Sequence, residues 1–246
     1  MPPETVRGIV LRSVKYSEHD RMLTVFTLEK GKISVCAKGA RSTRSKLLGV
    51  SQPFALSEIV LGGKRGSYIS SAVLLNAFSG LESDILKVSS ATYMCQLIES
   101  LTEEDAPDGK LFRLLYWSLS ELEKSGEHLS ALMACAFALK LMGISGMAPH
   151  LDGCIRCGEM KEYYRFDYSE GGLVCTDCAD SPDMPALRLS EAQRLRDLLY
   201  GDVTALKDFD VPDAAVMKHL LKTVNDYVIY MSGRSIRSFD MLYSLM

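Results

Sequence analysis

The chain has 246 residues, 47% of them hydrophobic and 24% charged, with a formal net charge of −3. That composition suits one large domain or two to three small ones with a buried core, and it excludes wholesale disorder. The start "MPPETVRGIV" lacks a cationic segment followed by an apolar one, and the longest apolar run, "ALMACAFAL" at 131–139, is too short to span a bilayer. A soluble, cytoplasmic protein without signal peptide or membrane contact is expected.

The net charge hides a split. Residues 1–82 hold twelve Lys/Arg against six Asp/Glu, a net +6, which leaves −9 for residues 83–246. A basic front on an acidic body is the asymmetry expected where one part meets a polyanion, although an uneven solvated surface would give the same count.

In chain order, the first 80 residues read as short strands. "VRGIVLRSVKY" is rich in Val, Ile and Leu, and "MLTVFTLEKGKISVCAKG" is two β-rich runs joined at "EKGK", where Gly31 is free to take a positive φ. "FALSEIVLGGKRGSYISSAVL" repeats the pattern and turns at Gly62, Gly63 and Gly66. About five closely spaced strands predict a small closed barrel of OB type, because closure removes exposed edges. From Asp84 the apolar spacing becomes helical, with Ile85, Val88, Tyr93, Leu97 and Leu101 compatible with one face. "DAPDG" punctuates, Asp108 is a candidate cap, and "KLFRLLYWSLSELEKSG" follows. "EHLSALMACAFALKLMGISG" is more apolar and belongs in the middle of the helical core. Further helices are predicted at 190–200 and 212–232, with Ser190, Glu191 and Pro212 as N-terminal features. The predicted class is therefore an α+β multidomain protein: a barrel at 1–80, then a mostly helical domain at 81–246.

That helical domain is interrupted at about 150–180. Cys154 and Cys157, then Cys175 and Cys178, form two C-x2-C pairs separated by seventeen residues. Two-residue spacing lets both thiolates of a pair reach one ion, and four thiolates complete the tetrahedron zinc favours. A catalytic zinc keeps one position open for water, so four cysteines point to a structural ion rather than a reaction centre. The zinc deaminase pattern is not met: His150 is followed by Leu151 and Asp152, and neither C-x2-C follows a proline. A thiol oxidoreductase using one pair is the enzymatic alternative.

Other residues carry less. Cys36, Cys95 and Cys135 lie singly in apolar runs and read as buried packing. Tyr164, Phe166 and Tyr168 alternate along a strand; they pack on helices or stack bases, with packing the commoner use. No P-loop occurs, and no catalytic residue is assigned.

Taken in order, "RGIVLRSVKYSEHDRMLTVFTLEKGKISVCAKGARSTRSKLLGVSQPF", "LKLMGISGMAPHLDGCIRCG" and "FDYSEGGLVCTDC" resemble the bacterial RecO family of recombination mediators over most of the chain. The resemblance implies an N-terminal OB fold, a helical domain with a zinc module, and no enzymatic activity. It also implies binding of single- and double-stranded DNA, annealing of complementary strands, and work with RecR and single-stranded DNA-binding protein (SSB) to load RecA, in the nucleoid. Some family members lack the cysteines, which fits a structural metal.

Within that frame the stretch "AKGARSTRSK" at 37–46 becomes the leading DNA contact. It follows the strand "KISVCA", so it lies on a barrel loop, and Lys38, Arg41, Arg44 and Lys46 would neutralise phosphates without reading sequence. Arg12, Lys64 and Arg65 would extend the track. Lys218, Lys222, Arg234 and Arg237 are candidate rim cations of a groove for an acidic SSB tail with an apolar end; solvated helix faces explain them equally well. A zinc-stabilised adaptor that binds protein or RNA without annealing is the alternative to the whole reading.

Overall fold

The structure is a computed structural model that describes residues 4–246, apart from the side chains of Arg65, Glu127, Lys207 and Asp208. It opens with five strands: β1 (Glu4–Lys15), β2 (Arg21–Thr27), β3 (Gly31–Ala37), β4 (Leu56–Gly62) and β5 (Tyr68–Asn76). They close into a barrel in the order β1-β2-β3-β5-β4. All neighbours are antiparallel except β3 and β5, which meet in parallel at Cys36 and Tyr68. This is the five-stranded OB-type barrel that the spacing of strands and turns predicts. Alternation sends Val6, Leu23, Val25, Ile33, Val35, Ile59, Leu61 and Ile69 inward as one packed cluster.

The β2–β3 hairpin turns where the sequence places it. Gly31 has φ +70°, and the Thr27 hydroxyl donates to the Gly31 carbonyl at 2.9 Å while accepting from the Lys30 amide at 3.0 Å.

Helices follow: α1 (Ile85–Leu101), α2 (Gly109–Lys124) and α3 (Ser130–Ile144). Asp84 caps α1 by accepting from the Leu86 amide at 2.7 Å, and Asp108 caps α2 by accepting from Lys110 and Leu111 at 2.8 and 3.0 Å. The residues of α3 are buried nearly all round, as its apolar composition requires of a central helix.

A three-stranded sheet comes next, with β6 (Tyr163–Asp167) between β7 (Gly172–Cys175) and β8 (Ala186–Arg188). Then come α4 (Leu189–Tyr200), α5 (Ala214–Ser232) and α6 (Ser238–Leu245). The cap of α4 is Arg188, whose amide donates to Glu191 at 2.7 Å, and that of α5 is Asp213, which accepts from Val216 at 3.0 Å; Ser190 and Pro212 flank these caps. Two elements carry no sequence signal strong enough to announce them: β8 is three residues long, and α6 is a two-turn helix after the left-handed Gly233.

The chain groups into two compact units. One comprises the residues through Ser83 together with Met94–Glu123; the other comprises Asp84–Tyr93 and Lys124–Met246. No helix among the described residues is long and apolar enough to cross a membrane.

Gly31 tests the barrel hairpin. A Cβ there would lie 2.2 Å from the Ala106 carbonyl oxygen, and the positive φ disfavours any side chain. Gly31→Ala is expected to destabilise the barrel unit by at least about 1–2 kcal/mol, read as an earlier urea midpoint. An unchanged midpoint would contradict the hairpin geometry.

Candidate metal centre and nucleic-acid interface

The two C-x2-C turns converge. The four Sγ atoms of Cys154, Cys157, Cys175 and Cys178 all lie within 4.8 Å of one another, and Cys157 and Cys175 are 3.9 Å apart. A tetrahedron with metal–sulfur bonds of about 2.3 Å has edges of about 3.8 Å, so the thiols stand where one ion would hold them. Backbone turns set this geometry. The Gly158 amide donates to the Cys154 carbonyl at 2.8 Å, and the Cys178 and Ala179 amides both donate to the Cys175 carbonyl at 3.0 Å. Gly158, directly after Cys157, takes φ +76°, which lets the chain turn away as its amide reaches back to the Cys154 carbonyl.

Burial raises the Cys154 thiol, but the backbone amides of Cys175, Cys157 and Arg156 outweigh it and pull it down to about 6. Its neighbour Cys178 moves the other way, pushed up to about 12 by hydrogen bonding to Cys175 and by burial. Arg156, inside the first pair, braces the cage. It donates to Glu170 at 2.6 Å and to the Cys178 carbonyl at 2.5 Å, and pairs with Asp180 at 2.6 Å and with buried Asp167 at 3.6 Å. The donor set fits a soft or borderline metal ion and leaves no open coordination position for a reaction.

The aromatic row beside the cage is packed. Tyr164 and Phe166 are buried, and Phe166 meets Tyr227 edge-on at 5.3 Å. Cys36, Cys95 and Cys135 are buried and apart from the cage.

The basic stretch is ordered rather than loose. Ala40 and Val50 join the barrel core, and Leu47 packs against it, so the segment covers one end of the barrel. Its first turn is tied to the β1–β2 turn: the Gly39 amide donates to Asp20 at 2.8 Å, and the Arg41 guanidinium donates to the Ser17 and Glu18 carbonyls, each at 2.7 Å. The Gly39 amide is the first cause of a lowered Asp20 pKa. Lys38 sits over the Tyr68 ring at 4.4 Å. Arg44 and Lys46 are exposed, with no side-chain partner among the described residues.

The other sequence candidates divide. Lys64 is exposed on the β4–β5 turn, which reaches the same barrel end through the Cys36 amide to the Ser67 carbonyl at 3.1 Å. The side chain of Arg65 lies outside the described residues. Arg12 is engaged elsewhere: its Nε donates to Glu99 at 2.8 Å. Lys222 pairs with Asp226 at 2.5 Å, Lys218 sits 5.2 Å over the Tyr243 ring, and Arg234 and Arg237 are exposed between α5 and α6. Reading by charge runs missed Lys15 and Arg21. These face each other across the β1–β2 ladder, Arg21 is in register with Ala37, and exposed Tyr16 lies between them. Two cations flanking a predicted turn were the available signal.

An OB-type barrel with exposed cations on the segments that close one end, followed by helices that carry a four-thiol insert, defines a barrel-and-helix protein with a metal-type cage. Comparison with known proteins names the group. The model for "Recombination protein O N terminal" matches residues 1–78, and that for "Recombination protein O C terminal" matches residues 82–239. A DNA repair protein RecO of Alkaliphilus metalliredigens is 42% identical over 173 residues, 70% of each chain. Those of Rubrobacter xylanophilus and Bacillus pumilus are 37% and 31% identical, over 78% and 83% of this chain and 79% and 80% of their own. The chain belongs to the Recombination protein O family of DNA repair proteins.

Metal removal tests the cage. In the metal-loaded protein a thiol reagent is expected to find no rapidly reacting cysteine; after chelation it should find four, while Cys36, Cys95 and Cys135 stay protected by burial. Arg156→Ala should speed metal loss to a competing chelator. Equal thiol reactivity before and after chelation would rule the cage out.

Proposed function

We propose that the chain is a non-enzymatic mediator of DNA repair and homologous recombination. It binds single- and double-stranded DNA through the cationic barrel end, anneals complementary strands, and acts with RecR to help load RecA on SSB-coated DNA. The observation that carries this is the exposure of Lys38, Arg44, Lys46 and Lys64 on the two segments that close one barrel end, with exposed Lys15 at the last position of β1. Contacts of that kind grip phosphates without reading bases, which suits annealing, because it must work on any sequence. Two strands held by their backbones have their mutual repulsion screened, and their bases remain free to pair.

The ion of the cage is zinc in this reading, and its role is to hold the insert. SSB tails would meet the end of α5 and the start of α6, where Arg234 and Arg237 remain available, whereas Lys222 is neutralised by Asp226. The protein would work in the cytoplasm on the nucleoid.

Salt titration of single-strand binding tests the DNA contact. Four phosphate contacts at ~0.7 each give a log–log slope of about −3, or about fifty-fold weaker binding at 200 mM than at 50 mM salt. Replacing Arg44 and Lys46 by Ala is expected to reduce the slope by about 1.4. Arg12→Ala should leave it unchanged, because Glu99 already balances that charge. A slope indifferent to the Arg44/Lys46 pair would refute the interface. In the second assay, complementary oligonucleotides coated with SSB should anneal faster with the parent protein than with the double variant. Equal rates would separate binding from annealing and favour the adaptor reading.

A further inference from the structure

The chain leaving the thiol cage builds a concavity that neither the cage nor the barrel uses. It measures about 330 Å³. Phe166 forms its floor, and Tyr168, Tyr230, Met184 and Pro185 its walls, with the two tyrosine rings 6.2 Å apart and tilted by 32°. Asp183 stands at its rim, exposed and without an ion pair among the described residues. Asp167 also lines it, but that carboxylate is engaged by the Ser169 and Glu170 amides and by Arg156. Tyr168 is held protonated by burial and by the neighbouring Asp226 carboxylate. No Lys or Arg lines the concavity. Residues 150–185 around it contain three Lys/Arg and eight Asp/Glu, a net −5 before any thiolate is counted.

An aromatic slot with one free carboxylate at its mouth suits a flat cation on an apolar stem. That describes a guanidinium better than an ammonium, because arginine stacks on rings and sheds its water more readily. The same chain displays such a group: Arg44 is exposed and unpartnered, on a barrel whose sequence carries +6. We propose that this cradle receives the Arg44 segment of a second copy, giving self-association. The opposed charges of barrel and insert orient the encounter. A contact this small is weak and transient, and salt weakens it further. The contact is heterologous, with the loop of one copy on the cradle of another. If the Arg44 segment also grips DNA, as proposed above, DNA and the second copy compete for it. Idle protein then covers its own grip, and exposed DNA releases it.

Sedimentation velocity of the full metal-loaded chain tests this, across a concentration series at 50 and 300 mM salt. The sedimentation coefficient should rise with concentration at low salt only. Asp183→Asn, Tyr230→Ala and Arg44→Ala should each weaken association at least about tenfold, the loss of an ion pair with its cation–π contact. Mixing Asp183→Asn with Arg44→Ala should give pairs and nothing larger, because one variant keeps the loop and the other keeps the cradle. Concentration-independent sedimentation, or variants that associate like the parent, would overturn the proposal. So would binding of a synthetic 39–46 peptide to a chain that stays monomeric, which would assign the cradle to another protein's basic segment. The DNA reading fails separately: assemblies that need Asp183 and Arg44 but survive excess single-stranded DNA would keep the cradle and remove the competition.

Discussion

The surface chemistry of this protein depends on the apolar anchoring of its most polar segment. Ala40 and Val50 are buried in the barrel core, and Leu47 packs against it, so the backbone that carries the cations between them is held to the barrel. A charge run without such anchors is a solvated coil whose ordering on a ligand costs about 1–2 kcal/mol per fixed residue. Here folding of the barrel has already met that cost. Arg41 contributes by tying the segment to the carbonyls of the β1–β2 turn rather than by facing outward. A four-cation run is thus divided by the fold into one structural arginine and three outward groups.

The same division of labour appears in the insert. Four thiols within 4.8 Å form the only element among the described residues able to hold a soft ion, and the acidic side chains around them are organised by Arg156. Without an ion at its centre the insert has a small core: β6, β7 and β8 amount to a dozen strand residues. A sheet of that size is marginal alone, which explains why a metal-type cage occurs at this point in the chain. The negative charge left on its outer side follows from composition, but its concentration beside an aromatic slot follows from how the chain leaves Cys178.

Much of this was legible in the sequence. Barrel strands announced themselves by β-branched runs and glycine turns, and the cage by the C-x2-C spacing, because both depend on neighbours close in the chain. Family resemblance added the order of the parts. What the sequence concealed were pairings across long separations. Arg12 reads as a free cation until folding sets it against Glu99, 87 residues away, whereas the Lys222–Asp226 pair, four apart on a predicted helix, was there to be read. Lys15 and Arg21 lie six residues apart, outside any charge run, and are brought opposite each other by the β1–β2 register. The short β8 and α6 fall below the length at which periodicity separates from chance.

Opposite charges on one chain have a consequence for the proposed binding and release of polyanions. A uniformly basic surface of the same size would bind DNA more tightly and leave it more slowly, and it would hold every strand it met. In the proposed reading, the outward cations of the 38–46 segment and the β4–β5 turn would limit the grip to a few phosphates, because Arg7, Arg12, Lys30 and Lys32 are already engaged within their own unit. Few contacts would give the fast exchange that the proposed strand pairing requires, since a misaligned duplex must come apart before the correct one forms. On this view the net charge of −3 is compatible with DNA binding because the sign of the local surface, not the total, sets where a phosphate chain can lie.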